Sequence, residues 1–129
     1  MKTVINWSNQ NMQIKNDNGV EIKLGTHGYT PVELLTGSLG LCIFITISKM
    51  FERDRVNENV SDFSVTVEAE KAEEGPSRIE CFSVAIQMPE QLDDSYRLRL
   101  IQSAERACTI GNTIKQGAEI RFSEKGSVE

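Results

Sequence analysis

Histidine is all but absent from this 129-residue sequence, which has His27 alone, and cysteine is scarce, with only Cys42, Cys81 and Cys108. An odd, widely spaced set without a C-x-x-C pair makes no disulfide framework of the secreted kind. With one histidine, a Cys/His zinc site is hard to assemble, and no metal is expected. Aromatic residues are 6% of the chain, too few for base-stacking platforms. The 14 Lys and Arg against 19 Asp and Glu leave a net charge of −5, the reverse of the basic footprint that sequence-independent nucleic-acid binding needs. Neither G-x-G-x-x-G nor G-x-x-x-x-G-K-[ST] occurs, so nucleotide chemistry has no support. Internal repeats are absent too. The start MKTVINWSNQ lacks the positive region and apolar stretch of a secretory signal, so a cytoplasmic protein is expected. In a reducing compartment isolated cysteines are either inert buried thiols or reactive ones.

What is present is an ordinary globular composition, 39% hydrophobic and 26% charged, on a length that suits one domain over residues 1–129. Residues 1–28 read as short strands, TVINW, NMQIK and VEIKL, parted by Asn9-Gln10-Asn11 and Asn16-Asp17-Asn18-Gly19, which are turn residues. A loop, Gly25-Thr26-His27-Gly28-Tyr29, leads to a central helix expected over 31–52. Thr30 suits its N-cap, Pro31 its first position, and Glu33 the positive end of its dipole. The interior LLTGSLGLCIFITIS is apolar on nearly every side, but Thr36, Ser38, Thr46 and Ser48 interrupt it, and it falls short of the about 20 apolar residues of a membrane span. Such a helix belongs in a core. One sheet of so small a domain cannot cover it, so a second subunit is expected. Gly37 and Gly40 agree: each destabilises a helix by about 1 kcal/mol relative to Ala, a loss best explained by close approach of another element.

A β-hairpin is expected over 61–88, with Phe63, Val65, Val67 and Ala69 on one face of its first strand, a turn at Glu73-Glu74-Gly75-Pro76-Ser77, and Phe82, Val84, Ile86 and Met88 facing inward from its second. Residues 93–122 should hold the remaining elements. A helix opens at Asp93 with a stripe of Tyr96, Leu100, Ile101, Ala104, Ala107 and Cys108, a short helical piece follows over Asn112–Gln116, and Ala118–Phe122 forms a last strand before the polar tail 123–129. Strands in blocks rather than in βαβ alternation mean the α+β class.

On a helical wheel Ser38, Cys42, Thr46 and Lys49 share a weakly polar seam, with Gly37, Gly40, Phe44, Ile47 and Phe51 on the other side. A thiol on that seam either meets a ligand at an interface or fills a core gap as a small hydrophobe. Cys108 precedes a helix start, whose amides favour a thiolate. Cys81 lies opposite the apolar face of its strand and reads as structural.

Thr30-Pro31-Val32-Glu33-Leu34-Leu35, then Gly40-Leu41-Cys42, then Cys108-Thr109-Ile110-Gly111-Asn112-Thr113-Ile114 resemble the OsmC/Ohr superfamily (osmotically induced protein C and organic hydroperoxide resistance protein), over about residues 29–122. The resemblance implies an OsmC-like fold in an intertwined homodimer, with long central helices wrapped by antiparallel sheets and two sites at the subunit interface. It implies a thiol-dependent peroxidase in which Cys42 attacks a hydroperoxide and becomes a sulfenic acid, Cys108 resolves it to a disulfide, and an external thiol reductant restores the pair without a cofactor. Glu33 would be the site carboxylate that orients a cation. Nine helical residues separate Glu33 from Cys42, a rise of about 13.5 Å, so both can serve one site only if Glu33 comes from the other chain. The family's peroxidases pair the thiolate with an arginine of the N-terminal strands, and here no arginine precedes Arg53. Lys49, His27 and Arg106 are the candidate replacements. The alternative reading is a dimeric protein that binds a small apolar or thiol-containing ligand and whose cysteines are passive.

Overall fold

A computed structural model of the chain describes residues 1–8, 11–25, 27–56 and 62–125. The turn at Asn9 and Gln10, Thr26 of the first loop, the first position of the expected hairpin and the end of the tail lie outside the described residues. The element order is β1 (Thr3–Ser8), β2 (Asn11–Asn16), β3 (Glu21–Ile22), α1 (Pro31–Arg53), β4 (Ser64–Lys71), β5 (Ile79–Gln87), α2 (Asp94–Ala107) and α3 (Thr109–Gln116). Helices and small antiparallel sheets in blocks are the α+β class the sequence foretold. The chain divides into two compact units: Met1–Ser38 with Val67–Val84, and Leu39–Thr66 with Ala85–Glu129.

The first unit holds an antiparallel meander in the order β1-β2-β3, with Val4 opposite Lys15, Ile5 opposite Ile14 and Ile14 opposite Ile22. Asn16 makes the second turn. Its side-chain oxygen accepts the N–H groups of Asn18 and Val20, both at 3.0 Å, the Asx geometry that favours asparagine there. The following loop is tighter. The Tyr29 N–H donates to the Lys23 carbonyl at 2.9 Å, and a Cβ at position 28 would lie 2.3 Å from that carbonyl oxygen, so only glycine fits. His27 is an exposed member of this turn.

α1 starts with a complete capping box. The Thr30 hydroxyl accepts the Glu33 N–H at 3.2 Å, and the Glu33 carboxylate accepts the Thr30 N–H at 3.0 Å. The helix ends in a Schellman motif: Val56 N–H donates to the Phe51 carbonyl at 2.9 Å and Arg55 N–H to that of Glu52 at 3.2 Å, with Arg55 in the left-handed region at φ 54°.

The core lies in the second unit. From α1 it takes Leu39, Ile43, Ile47 and Phe51, and beyond the helix Phe63, Met88, Leu92, Leu100, Ala104 and Cys108. The buried stripe is therefore rotated from the expected dry side. Ile47 and Phe51 are in it, while Gly37 and Phe44 are exposed. Phe44 instead stacks on Phe63 with ring centroids 4.3 Å apart, and Phe51 meets the same ring edge-on at 5.2 Å. A Cβ on Gly37 would meet nothing within 4 Å, so among the described residues no element makes the close approach expected there. By length and composition α1 could also cross a membrane. Four of its residues, Leu39, Ile43, Ile47 and Phe51, are buried within this chain.

The β4–β5 hairpin alternates as expected on β4, where Val65, Val67 and Ala69 are half-buried and their neighbours exposed. On β5 Phe82 and Ile86 are half-buried but Val84 is exposed. In α2 Leu100 and Ala104 are buried, whereas Ile101 and Ala107 face outward. Ala118–Phe122 is not a strand. Its apolar alternation has no ladder partner among the described residues, and Ile120 and Phe122 stand fully out in solvent.

Candidate active site

α3 begins at Thr109, three residues before the expected start at Asn112. Gly111 looks like a break in the sequence but lies inside the first turn, where no intrahelical partner is needed for its N–H. Cys108 is the N-cap, with φ −73° and ψ 105°. Its sulfur accepts the Gly111 N–H at 3.2 Å. A thiol thus does the work that serine or aspartate usually does at a helix start. Asn112 clamps the turn from outside by donating from its side-chain nitrogen to the Arg106 carbonyl at 3.0 Å.

Cys42, half-buried on α1, stands beside this helix start. The peptide N–H of Ile110 is foremost in holding its pKa below the ordinary thiol value; burial opposes this, and the Cys108 thiol and the Thr109 N–H add to the lowering. Cys108, only 2% exposed, is affected the opposite way. Burial pushes its pKa up against the pull of the Gly111 N–H, the neighbouring Cys42 sulfur raises it further, and the Ile110 N–H opposes them weakly. The two adjacent thiols thus sit in unlike surroundings, which favour the anion at Cys42 and the neutral thiol at Cys108. Both are unbridged.

The structure therefore brings Cys42 and Cys108 together. It gives Glu33 a different occupation, in the capping box with Thr30, whose N–H holds that carboxyl below its usual range with help from the Thr30 hydroxyl. Of the seam residues, Thr46 donates its hydroxyl to the Cys42 carbonyl at 2.9 Å and Lys49 is exposed. Arg106 lines a polar cleft of about 350 Å³ with Gln102, Glu105, Asn112 and Lys115. None of the groups that favour the Cys42 anion is a cation. Cys81 is not packed as a structural thiol; it is exposed on β5. Among the described residues no cluster of His, Cys, Asp or Glu could hold a metal ion.

Sequence reading set helix-start amides beside Cys108 but began that helix at Asn112, and so missed those of Thr109 and Ile110. A signal for them existed. Ile110 and Ile114 are four apart and both half-buried, and four is the helical spacing that carries a helix back across Gly111.

Fold and thiol pair together define an α+β protein with a dithiol site at a helix start. The chain belongs to the OsmC-like protein family, which matches residues 24–123. A hypothetical protein from Aquifex aeolicus VF5 is similar in structure, with a TM-score of 0.74 at 18% identity, covering 95% of this chain and 97% of that one. The OsmC-like protein from Mycoplasma pneumoniae gives 0.70 at 16% identity over 91% and 89%. The organic hydroperoxide resistance protein OhrB of Bacillus subtilis gives 0.63 at 15% identity over 90% of each chain. No curated protein matches the chain.

Proposed function

We propose that this protein is a cytoplasmic, homodimeric thiol peroxidase that reduces organic hydroperoxides through Cys42 and Cys108. The observation that carries the reading is the half-buried Cys42 thiol with a second free thiol, Cys108, beside it, the Ile110 N–H lowering the Cys42 pKa. Family membership and a structural likeness to a protein named for organic hydroperoxide resistance support the same chemistry.

The Cys42 thiolate attacks one oxygen of ROOH. The S–O bond forms as the O–O bond breaks, and the alkoxide leaves, taking a proton from solvent to become ROH. Sulfur is oxidised to the sulfenic acid. The Cys108 sulfur then displaces hydroxide from Cys42, which leaves with the Cys108 proton as water, and the disulfide forms. An external thiol reductant reduces it by exchange, being itself oxidised to a disulfide. No cofactor enters this cycle.

The dimer is part of the proposal. Val32, Leu35, Leu41, Phe44 and Ile45 are exposed on α1, with Leu41 at 59%. Apolar residues at that density on one helix ask for a partner surface. A second copy would cover them, fill the space beside Gly37, and supply Glu33 to the site.

Organic peroxide added to the Cys81→Ser protein should give a Cys42–Cys108 disulfide, read as a shift in non-reducing mobility and by peptide mass. Cys42→Ser should abolish turnover. Equal peroxide consumption by wild type and Cys42→Ser would end this reading.

A further inference from the structure

Three of the four basic side chains on α2 and α3 are engaged within the chain. Arg97 bonds Asp94, Arg99 lies over the Tyr96 ring with its guanidinium carbon 5.6 Å from the centroid, and Lys115 meets Glu105 at 3.4 Å. The fourth, Arg106, has no carboxylate partner among the described residues, yet it lines the polar cleft of about 350 Å³ walled by the two helices. We propose that this cleft binds a small organic carboxylate that carries a neighbouring amide, with Arg106 taking the carboxylate. The proposal stands apart from the thiol chemistry of Cys42 and Cys108 and does not depend on it.

Spacing and charge shape the cleft. Gln102, Glu105 and Arg106 are three and four residues apart on α2, hence on one face, and Asn112 and Lys115 are three apart on α3. Cys108 is the C-cap of one helix and the N-cap of the other, so the two faces meet at a short corner. Two contacts brace it: the Asn112 side-chain nitrogen donates to the Arg106 carbonyl at 3.0 Å, and Glu105 holds Lys115. An unpartnered guanidinium is a planar fork that matches a carboxylate bond for bond. The lining has two cations, Arg106 and Lys115, and one anion, Glu105. A monoanion balances that surplus. A phosphate ester, roughly −1.5 to −2 at pH 7, exceeds it and is repelled by Glu105. The two amides supply the remaining complement. Asn112 commits its nitrogen to the Arg106 carbonyl, which leaves its oxygen as an acceptor, and Gln102 can both donate and accept. These groups suit a peptide-type N–H and C=O. N-acyl amino acids and the C-terminus of a polypeptide share that chemistry.

The test is a titration of the full-length labelled protein followed by proton–nitrogen NMR, with N-acetylglycine, N-acetyl-trialanine, inorganic phosphate and sodium chloride at one ionic strength. N-acetylglycine should shift the Arg106 Nε–H and the Gln102 and Asn112 side-chain amides saturably, with a midpoint of about a few millimolar. Arg106→Gln should weaken it at least about tenfold. Arg99→Gln, which removes a cation of α2 outside the cleft, should leave it unchanged. Glu105→Gln should tighten N-acetylglycine and raise the affinity for phosphate more. All three side chains are exposed, and an unaltered backbone spectrum verifies the fold of each variant. Shifts that stay linear, shifts that chloride reproduces, or an affinity unchanged in Arg106→Gln overturn the proposal. Phosphate bound by the wild type as tightly as N-acetylglycine overturns the choice of a carboxylate. The tripeptide separates the two sources: tighter binding than N-acetylglycine assigns a polypeptide end, equal or weaker binding a free small molecule. No redox step is read, so failure of the peroxidase reading leaves this outcome untouched.

Discussion

At the scale of single residues, the two ends of α1 are set by local hydrogen bonds. Thr30→Ala removes the acceptor for the Glu33 N–H and should lower stability by about 1 kcal/mol, measured by urea denaturation. Because Thr30 depresses the Glu33 pKa, the stability linked to that carboxylate is present above the usual glutamate range and is lost as pH falls through its lowered folded value. Glu33→Gln keeps an acceptor for Thr30. A fall in peroxide turnover without a fall in Tm is therefore the outcome expected from the proposed dimer, whereas unchanged turnover would assign Glu33 to capping alone. Thr30 was legible in the sequence as the N-cap and Glu33 as a first-turn acid, but the bond from the Thr30 N–H back to Glu33 was not read. Nor was the helix stop: Arg55, the left-handed residue of the Schellman motif, carries none of the signal that glycine gives there. Arg55→Gly should raise stability by about 0.5 kcal/mol, relief of backbone strain exceeding the added chain entropy.

Among elements, the join between α1 and α2 is polar at its rim. The Tyr96 hydroxyl donates to Asp54 at 2.7 Å, and Arg53 holds the same carboxylate through two bonds of 2.9 and 3.0 Å. Arg53 and then Tyr96 depress the Asp54 carboxyl to about 2, while burial and then Asp54 push the Tyr96 phenol up to about 12. The two signs bracket a window. Asp54 stabilises above its ordinary pKa and loses that contribution as pH falls toward 2; Tyr96 does so below its ordinary pKa and loses it as pH rises toward 12. Tyrosinate absorbance should show one of the two tyrosines titrating late, and Asp54→Asn should bring it earlier. Beneath this rim Leu100 is wholly buried, and Leu100→Ala should cost about 2–5 kcal/mol. Elements with a strong period were readable from sequence: α1, the β4 alternation, and the α2 positions Leu100 and Ala104. Two were not. Ala118–Phe122 has a strand's pattern, but a strand also needs a neighbour to bond, which pattern alone does not supply. α3 was read as starting late because glycine, a stop signal in a helix interior, is harmless in a first turn.

For the molecule as a whole, one chain leaves much apolar surface uncovered. Trp7 is 73% exposed on β1, and α1 shows Leu41 and Ile45. On the proposed dimer, Leu41→Asp should therefore shift light scattering from two copies to one, while barely altering the far-ultraviolet circular dichroism. The expectation of a second copy came from the all-round apolarity of α1. Which of its faces the chain covers by itself was not, because that depends on where Phe63 and α2 settle. The motif residues Cys42 and Cys108 could be named from the sequence, but not the groups around them. Peptide nitrogens are common to every amino acid but proline, so substitutions at 109 and 110 can alter shape, polarity or bulk and leave both donors in place. A catalogue of side chains alone would miss them. The tolerance runs the other way at position 111, where a single added methyl group reaches the Cys108 sulfur.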